Sequence, residues 1–181
     1  MGARLLVVVV VLVLAGCSAG PVESAGPFPV RPQEIDVMRI DPCRTLTAEQ
    51  LASRRLDEED ARASRPVVGG AVTADCGWAD LQTADFGYGV QMIPQDAIEA
   101  VGSPKSTVGE IGGFGTVRIT DRETTSPLCE VVVDATDGAL MRIQVQAVGV
   151  DRNGASPSIE RTCAEAERLA ADAIATTRSL S

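Results

Sequence analysis

The sequence predicts an α+β domain: a mostly antiparallel sheet of about five strands with helices on one face, a long C-terminal helix and two disulfides. Three observations carry that expectation. Apolar residues alternate with small or polar ones along Val72 to Trp78 and Phe86 to Met92, and three more β-rich runs follow. The stretch from Ser158 to Arg178 switches to apolar steps of three and four residues. Cysteines beyond the N-terminal region are even in number, at Cys43, Cys76, Cys129 and Cys163.

Residues 1–16 stand apart from that fold. Arg4 gives a positive start, Leu5 to Leu14 is an unbroken apolar run, and Leu14-Ala15-Gly16-Cys17 closes it with small residues before a cysteine. Such a run cannot cross a hydrocarbon core of about 30 Å, which needs roughly twenty apolar residues in a helix. It reads as a secretory signal peptide whose end matches the bacterial lipobox, in which the Cys17 thiol is alkylated by diacylglycerol and the chain is cut before it. An ordinary secretory signal with a chance cysteine is the blander alternative, but a cysteine at the cleavage edge has little other use. Two or three acyl chains make anchoring effectively permanent. Over residues 17–40, Pro21, Pro27, Pro29 and Pro32 with Gly20 and Gly26 break any apolar period, so an extended tether is expected, with an edge strand at Ile35 to Met38 as the alternative. One folded domain should then occupy residues 41–181.

Within it, Thr47 and Gln50 form a capping-box pattern ahead of Leu51 and Leu56, predicting a short helix from about Ala48 to Arg55. Residues 57–65 are polar and read as a solvated loop. The Val72 to Trp78 and Phe86 to Met92 runs, joined through Asp80 to Asp85, form a hairpin. Pro94 ahead of Ala97, Ile98 and Val101 predicts a second short helix. Phe114 to Ile119, Leu128 to Val133 and Ala139 to Val148 read as strands, parted by Asp121-Arg122-Glu123 and by the tight-turn pair Asp137-Gly138. Asp151 to Ser156 is loop before the terminal helix.

Composition excludes several chemistries. The chain has no histidine, so Ser-His-Asp, Cys-His and His-metal sites are absent. Its formal charge is −9, with 16 Lys+Arg against 25 Asp+Glu, which argues against nucleic acid and against close adhesion to anionic headgroups.

Four cysteines in an exported chain point to two disulfides. The gaps between them, 32, 52 and 33 residues, do not fit the close pairs of a zinc site. Of three possible connectivities, the expected one joins Cys76 to Cys129, both in strands amid apolar neighbours. Cys43 is left with Cys163, which lies on the inward stripe Ile159, Cys163, Ala166, Ala170, Ala173 and Thr177 of the terminal helix.

The lipobox, Asp41-Pro42-Cys43 with Leu46 and Leu51, Cys76-Gly77-Trp78, Leu128-Cys129 opening a strand, and Cys163-x-x-Ala166 with Leu169-Ala170 resemble, in order and spacing, the actinobacterial envelope lipoproteins built on the domain of unknown function 3558. The resemblance spans about residues 41–178 and implies a membrane-tethered domain with paired cysteines. It lends no catalytic residue.

Three features invite sharper readings. Gly109, Gly112, Gly113 and Gly115 around Phe114 lack the lysine or helix of a phosphate loop, so permissive backbone at a strand entry is expected. Trp78, two positions from Cys76, should be a core residue beside a disulfide, with an exposed stacking platform as the alternative. Asp134 with Asp137 and Asp121 with Glu123 sit at turns, where aspartate serves backbone hydrogen bonds, so a carboxylate hydrolase is the weaker reading and no calcium loop is present. The function expected is that of a non-catalytic envelope lipoprotein without cofactor or metal. It is anchored outside the cytoplasmic membrane and binds another envelope protein or a small apolar molecule. A cell-wall hydrolase and a structural spacer are the alternatives.

Overall fold

A computed structural model describes residues 26–79, 85–121, 126–150 and 154–181. Cys17, the signal segment, and most of the turns expected at 80–85, 121–123 and 151–156 lie outside the described residues.

Seven strands form one antiparallel sheet in the order β1-β4-β5-β9-β8-β7-β6. They are β1 (Ala61–Ser64), β4 (Ala74–Trp78), β5 (Phe86–Ile93), β6 (Ser106–Ile111), β7 (Phe114–Asp121), β8 (Leu128–Thr136) and β9 (Ala139–Ala147). A two-stranded ribbon of β2 (Val67–Val68) and β3 (Ala71–Val72) stands beside it. The expectation of about five strands falls two short of the main sheet. The two it lacks, β1 and β6, are the edges, and most of their side chains are exposed on both faces. An edge strand that buries neither face carries no apolar alternation, which is why β1 hides in the polar run 57–65.

The expected hairpin is present over Ala74–Trp78 and Phe86–Ile93, with Cys76 opposite Val90 and Trp78 opposite Tyr88; Val72, expected to begin its first strand, is exposed and pairs with Val67 in the separate ribbon. Two others are set by two-residue turns, Gly112-Gly113 between Ile111 and Phe114, and Asp137-Gly138 between Thr136 and Ala139. Gly112 and Gly113 both have positive φ, the requirement of a type I′ hairpin turn, so the glycine run is turn chemistry at a strand entry.

Two helices complete the fold. Helix α1 (Ala48–Ala52) starts at a complete Thr47–Gln50 capping box. Helix α2 (Ile159–Leu180) starts at Ser158, whose hydroxyl accepts from the Arg161 N–H. The α2 stripe of Cys163, Ala166, Ala170, Ala173 and Thr177 is buried, and its small residues admit the helix close to β8 and β9. Leu51, Trp78, Tyr88, Val90, Ile143, Val131 and Leu169 share one core between the helices and this face. The second short helix expected after Pro94 is a single 3-10 turn, Ala97–Ala100. It packs with Ile93, Val117, Val132 and Leu140 in a separate cluster, which strand alternation places on the opposite face.

Two expectations are overturned. The bridges are Cys43–Cys76 and Cys129–Cys163, with Cα separations of 5.0 and 5.1 Å. Cys76 and Cys129 share the helix-facing side, but β5 and β9 lie between their strands. Three inter-strand spacings put them about 14 Å apart, twice what a disulfide spans. Each bridge instead fastens a segment lying on the sheet, the turn Pro42–Arg44 or helix α2, to the strand beneath it. The folded part also begins well before Asp41. Ile35 and Val37 are completely buried, and the Ile35 N–H donates to the Ala135 carbonyl at 3.0 Å.

Candidate functional site

On the face away from the helices, the sheet is covered only in part. Across β7, β8 and the near ends of β5 and β9, the 97–100 turn and Phe28 lie over Ile93, Val117, Val132 and Leu140. The rest, over β1, β4, β5 and β9, is a recess of about 700 Å³ open to solvent.

Its floor follows from the strand register. Arg62, Gly77, Gly89, Gln144 and Glu130 lie opposite one another in a row across five strands, and Asp75, Gln91 and Arg142 form the adjacent row. Glycine at 77, 87 and 89 removes three neighbouring side chains from the middle of this surface, leaving a trough. A Cβ at Gly87 would meet Val148 Cγ1 at 3.4 Å, and one at Gly89 would meet Gln144 Cβ at 3.6 Å, so neighbouring side chains lean over both. A Cβ at Gly77 would meet only the Tyr88 carbonyl oxygen, at 3.5 Å, an ordinary contact. Glycine inside a strand costs roughly 0.5–1 kcal/mol relative to alanine. No packing demand within the fold accounts for it at position 77.

The rim is polar. Gln91 is buried, donates to Thr73 Oγ1 at 3.0 Å and accepts from Arg142; Gln144 donates to Glu130; Ser64 donates to Asp75. Arg142 keeps a buried Nε–H that meets no acceptor among the described residues. Exposed Gln146 and Arg62 complete the border. The trough therefore offers amide and guanidinium hydrogen bonds around a floor of bare backbone.

The carboxylates weighed for hydrolysis lie elsewhere. The Arg31 guanidinium clasps both oxygens of Asp134, at 2.8 and 3.1 Å, with Asp137 at 2.7 Å and Glu34 at 2.6 Å. These bonds, that to Asp134 foremost, hold Arg31 still further above its ordinary value. Glu123 lies outside the described residues. On the helix side, Arg54 is buried between Glu165, at 2.9 Å, and Asp172, at 2.8 Å. Tyr88 lies beneath the same guanidinium, and burial, then the Glu165 charge, push its phenol up to about 12. Among the described residues, no three acidic or cysteine side chains gather as metal ligands, and no helix is long and apolar enough to cross a membrane.

Of the residues singled out in the sequence, the structure brings Cys43, Cys76 and Trp78 together in the helix-side core, where Trp78 is buried; its indole N–H meets no acceptor among the described residues. The trough residues are not among those the sequence singles out. Their signal is the small half of the Phe-Gly-Tyr-Gly-Val alternation at 86–90, whose large half gave the hairpin.

A family pattern described as "Protein of unknown function (DUF3558)" matches residues 12–176. The chain belongs to the DUF3558 family. The match takes in Cys17, all four disulfide cysteines and the whole trough. No curated protein matches the chain. A crystal structure from Bacteroides thetaiotaomicron VPI-5482 at 1.50 Å resolution is similar at 10% identity with a TM-score of 0.36, over 62% of this chain and 40% of that one. The chain thus spans well under half of that protein, and likeness at this level carries no argument.

Proposed function

We propose that this DUF3558 protein is an extracytoplasmic lipoprotein, anchored through Cys17, that binds an extended segment of another envelope protein in the glycine-floored trough. The observation that carries the binding site is Gly77: a mid-strand glycine with room for a side chain, at the centre of a recess rimmed by amides. An open, polar-rimmed recess suits a polar chain better than a small apolar molecule, which needs an enclosed apolar cavity. The Leu14-Ala15-Gly16-Cys17 ending supports the anchor, and the family match, beginning at residue 12, covers it. A non-catalytic role accords with Asp134 and Asp137 being held by Arg31, and a turnover assay with ester, phosphate, peptide and glycan substrates tests it directly.

Gly77→Leu tests the site. The strand has room for the side chain, so melting should be unchanged or improved, while the trough is filled. Backbone amide shifts of the full chain with solubilised envelope proteins should move at Gly77, Gly89 and Gln144, and the variant should not respond. Shifts elsewhere, or binding that survives the substitution, would overturn the assignment.

A further inference from the structure

The segment expected to be free tether is bound to the sheet at points that differ in chemistry. Phe28 occupies the space of an absent side chain: a Cβ at Gly115 would lie 2.5 Å from the Phe28 Cβ and Cγ. Pro32 packs over the Gly112-Gly113 turn, 3.2 Å from where a Gly113 Cβ would stand. Arg31 is held by Asp134 and Asp137 at the β8–β9 turn, and the Ile35 N–H donates to Ala135. All these contacts lie at one end of the sheet, where β7 and β9 begin and β8 finishes. The trough lies towards the other end. Along β5, from Ile93 beside the strap's seat to Gly87 at the trough, six residues at about 3.3 Å each span about 20 Å.

We propose that residues 27–35 are a clasp that mounts the domain on its anchor by one end, so that the trough faces away from the bilayer. The proposal rests on the lipoprotein reading above. From Cys17 to Gly26 is nine residues, which reach at most about 30 Å whatever their conformation. A flexible stretch of that length spans roughly 17 Å on average, less than the distance from the clasped end to the trough, so the clasped end is the nearer to the membrane surface and the trough the farther. If Phe28, Arg31 and Pro32 let go, the first held residue would be Ile35, the maximum reach would double to about 60 Å and the r.m.s. span of a flexible chain would rise to roughly 23 Å, more than the length between the two ends, so both would approach the lipid nearly alike. In this arrangement the three carboxylates around Arg31, Glu34, Asp134 and Asp137, face the bilayer with only part of their charge offset by that guanidinium, and the partner of the trough is met in the aqueous space, not drawn from the membrane.

The test uses the native lipidated chain in vesicles carrying headgroup-linked energy acceptors, with genetically encoded donor amino acids placed singly at the exposed positions Ile98, at the clasped end, and Val148, at the trough. Transfer from position 98 should exceed that from position 148 several-fold. Phe28→Ala and Arg31→Gln, which loosen the clasp by unrelated means, should each bring the ratio towards one, with a cooperative melt and intact disulfides showing that the domain still folds. A ratio near one in the unaltered chain, or one that neither variant moves, would overturn the clasp while leaving the anchor standing. A chain that does not float with the vesicles would overturn the anchor and the clasp with it.

Discussion

Removing the Cys129–Cys163 bridge by converting both residues to alanine should cost about as much as removing Cys43–Cys76 in the same way. The sequence separations are 34 and 33, so the loop-closure argument assigns each bridge roughly 3.7 kcal/mol. For a domain of this size that is a fall of roughly 11 °C in melting temperature, at about 3 °C per kcal/mol. The informative variant is the crossed one, Cys43→Ala with Cys163→Ala. It breaks both bridges, and because β5 and β9 hold Cys76 and Cys129 about 14 Å apart, the survivors cannot pair. Its loss should be roughly 7 kcal/mol, a large part of the 5–15 kcal/mol of an ordinary domain. Urea unfolding of all three proteins, fitted with separate slopes because a chain without cross-links unfolds further, gives the losses, and thiol titration in denaturant gives the pairing. A crossed variant that loses no more than either native-pair variant, or that shows no titratable thiol, would refute the connectivity.

The chain has one tyrosine, so alkaline absorbance reads Tyr88 alone, and half-ionisation should fall near pH 12. Because the unfolded phenol ionises near 10, the unfolded state sheds its proton first. Stability is therefore complete below pH 10 and should fall by roughly 2 kcal/mol as pH rises to 12; a flat stability over that window would contradict the burial of the ring. Under native conditions a small thiol should reduce Cys43–Cys76 before Cys129–Cys163, since Cys43 is partly exposed and the other three sulfurs are buried; mass mapping of alkylated intermediates decides the order. Cys17→Ser should abolish lipid modification and release or leave unprocessed the exported chain, as read by intact mass and membrane fractionation.

What was legible in the sequence is what folds by local rules. Strands β4, β5, β7, β8 and β9 bury their helix-facing side, and parts of β5, β7, β8 and β9 the other side too, while α2 buries one stripe, so their residues alternate, run continuously apolar or step by three and four as that burial requires. The edges β1 and β6 bury neither face and leave no such mark. The cysteine pairing depends on strand order, a property of the whole sheet that no local pattern encodes. The strap was hidden for a related reason. Phe28, Ile35 and Val37 sit among prolines that break any period, and what holds Phe28 is a gap in β7, eighty-seven residues further on. The candidate site is half visible in the sequence: the large residues of the alternation at 86–90 mark the hairpin, whereas the glycines between them mark a trough only once β4, β5 and β9 lie side by side.

The strand order has a consequence for the path by which the chain acquires its structure. Strands β1, β4 and β5 with Cys43–Cys76 precede strands β6 to β9 with Cys129–Cys163, and the two groups meet along the β5–β9 seam, where Phe86 lies opposite Ala147. Each group holds its own covalent staple, and neither staple crosses the seam. Both can be oxidised while the groups are still apart, whereas both alternative connectivities join a cysteine of one group to a cysteine of the other. Docking along β5 and β9 is the most non-local pairing in the sheet and should be the slow step, because its loop closure comes before its contacts are won. Oxidation ahead of docking then steers the chain towards its native bridges, and a chain that docked first would have no wrong pair within reach.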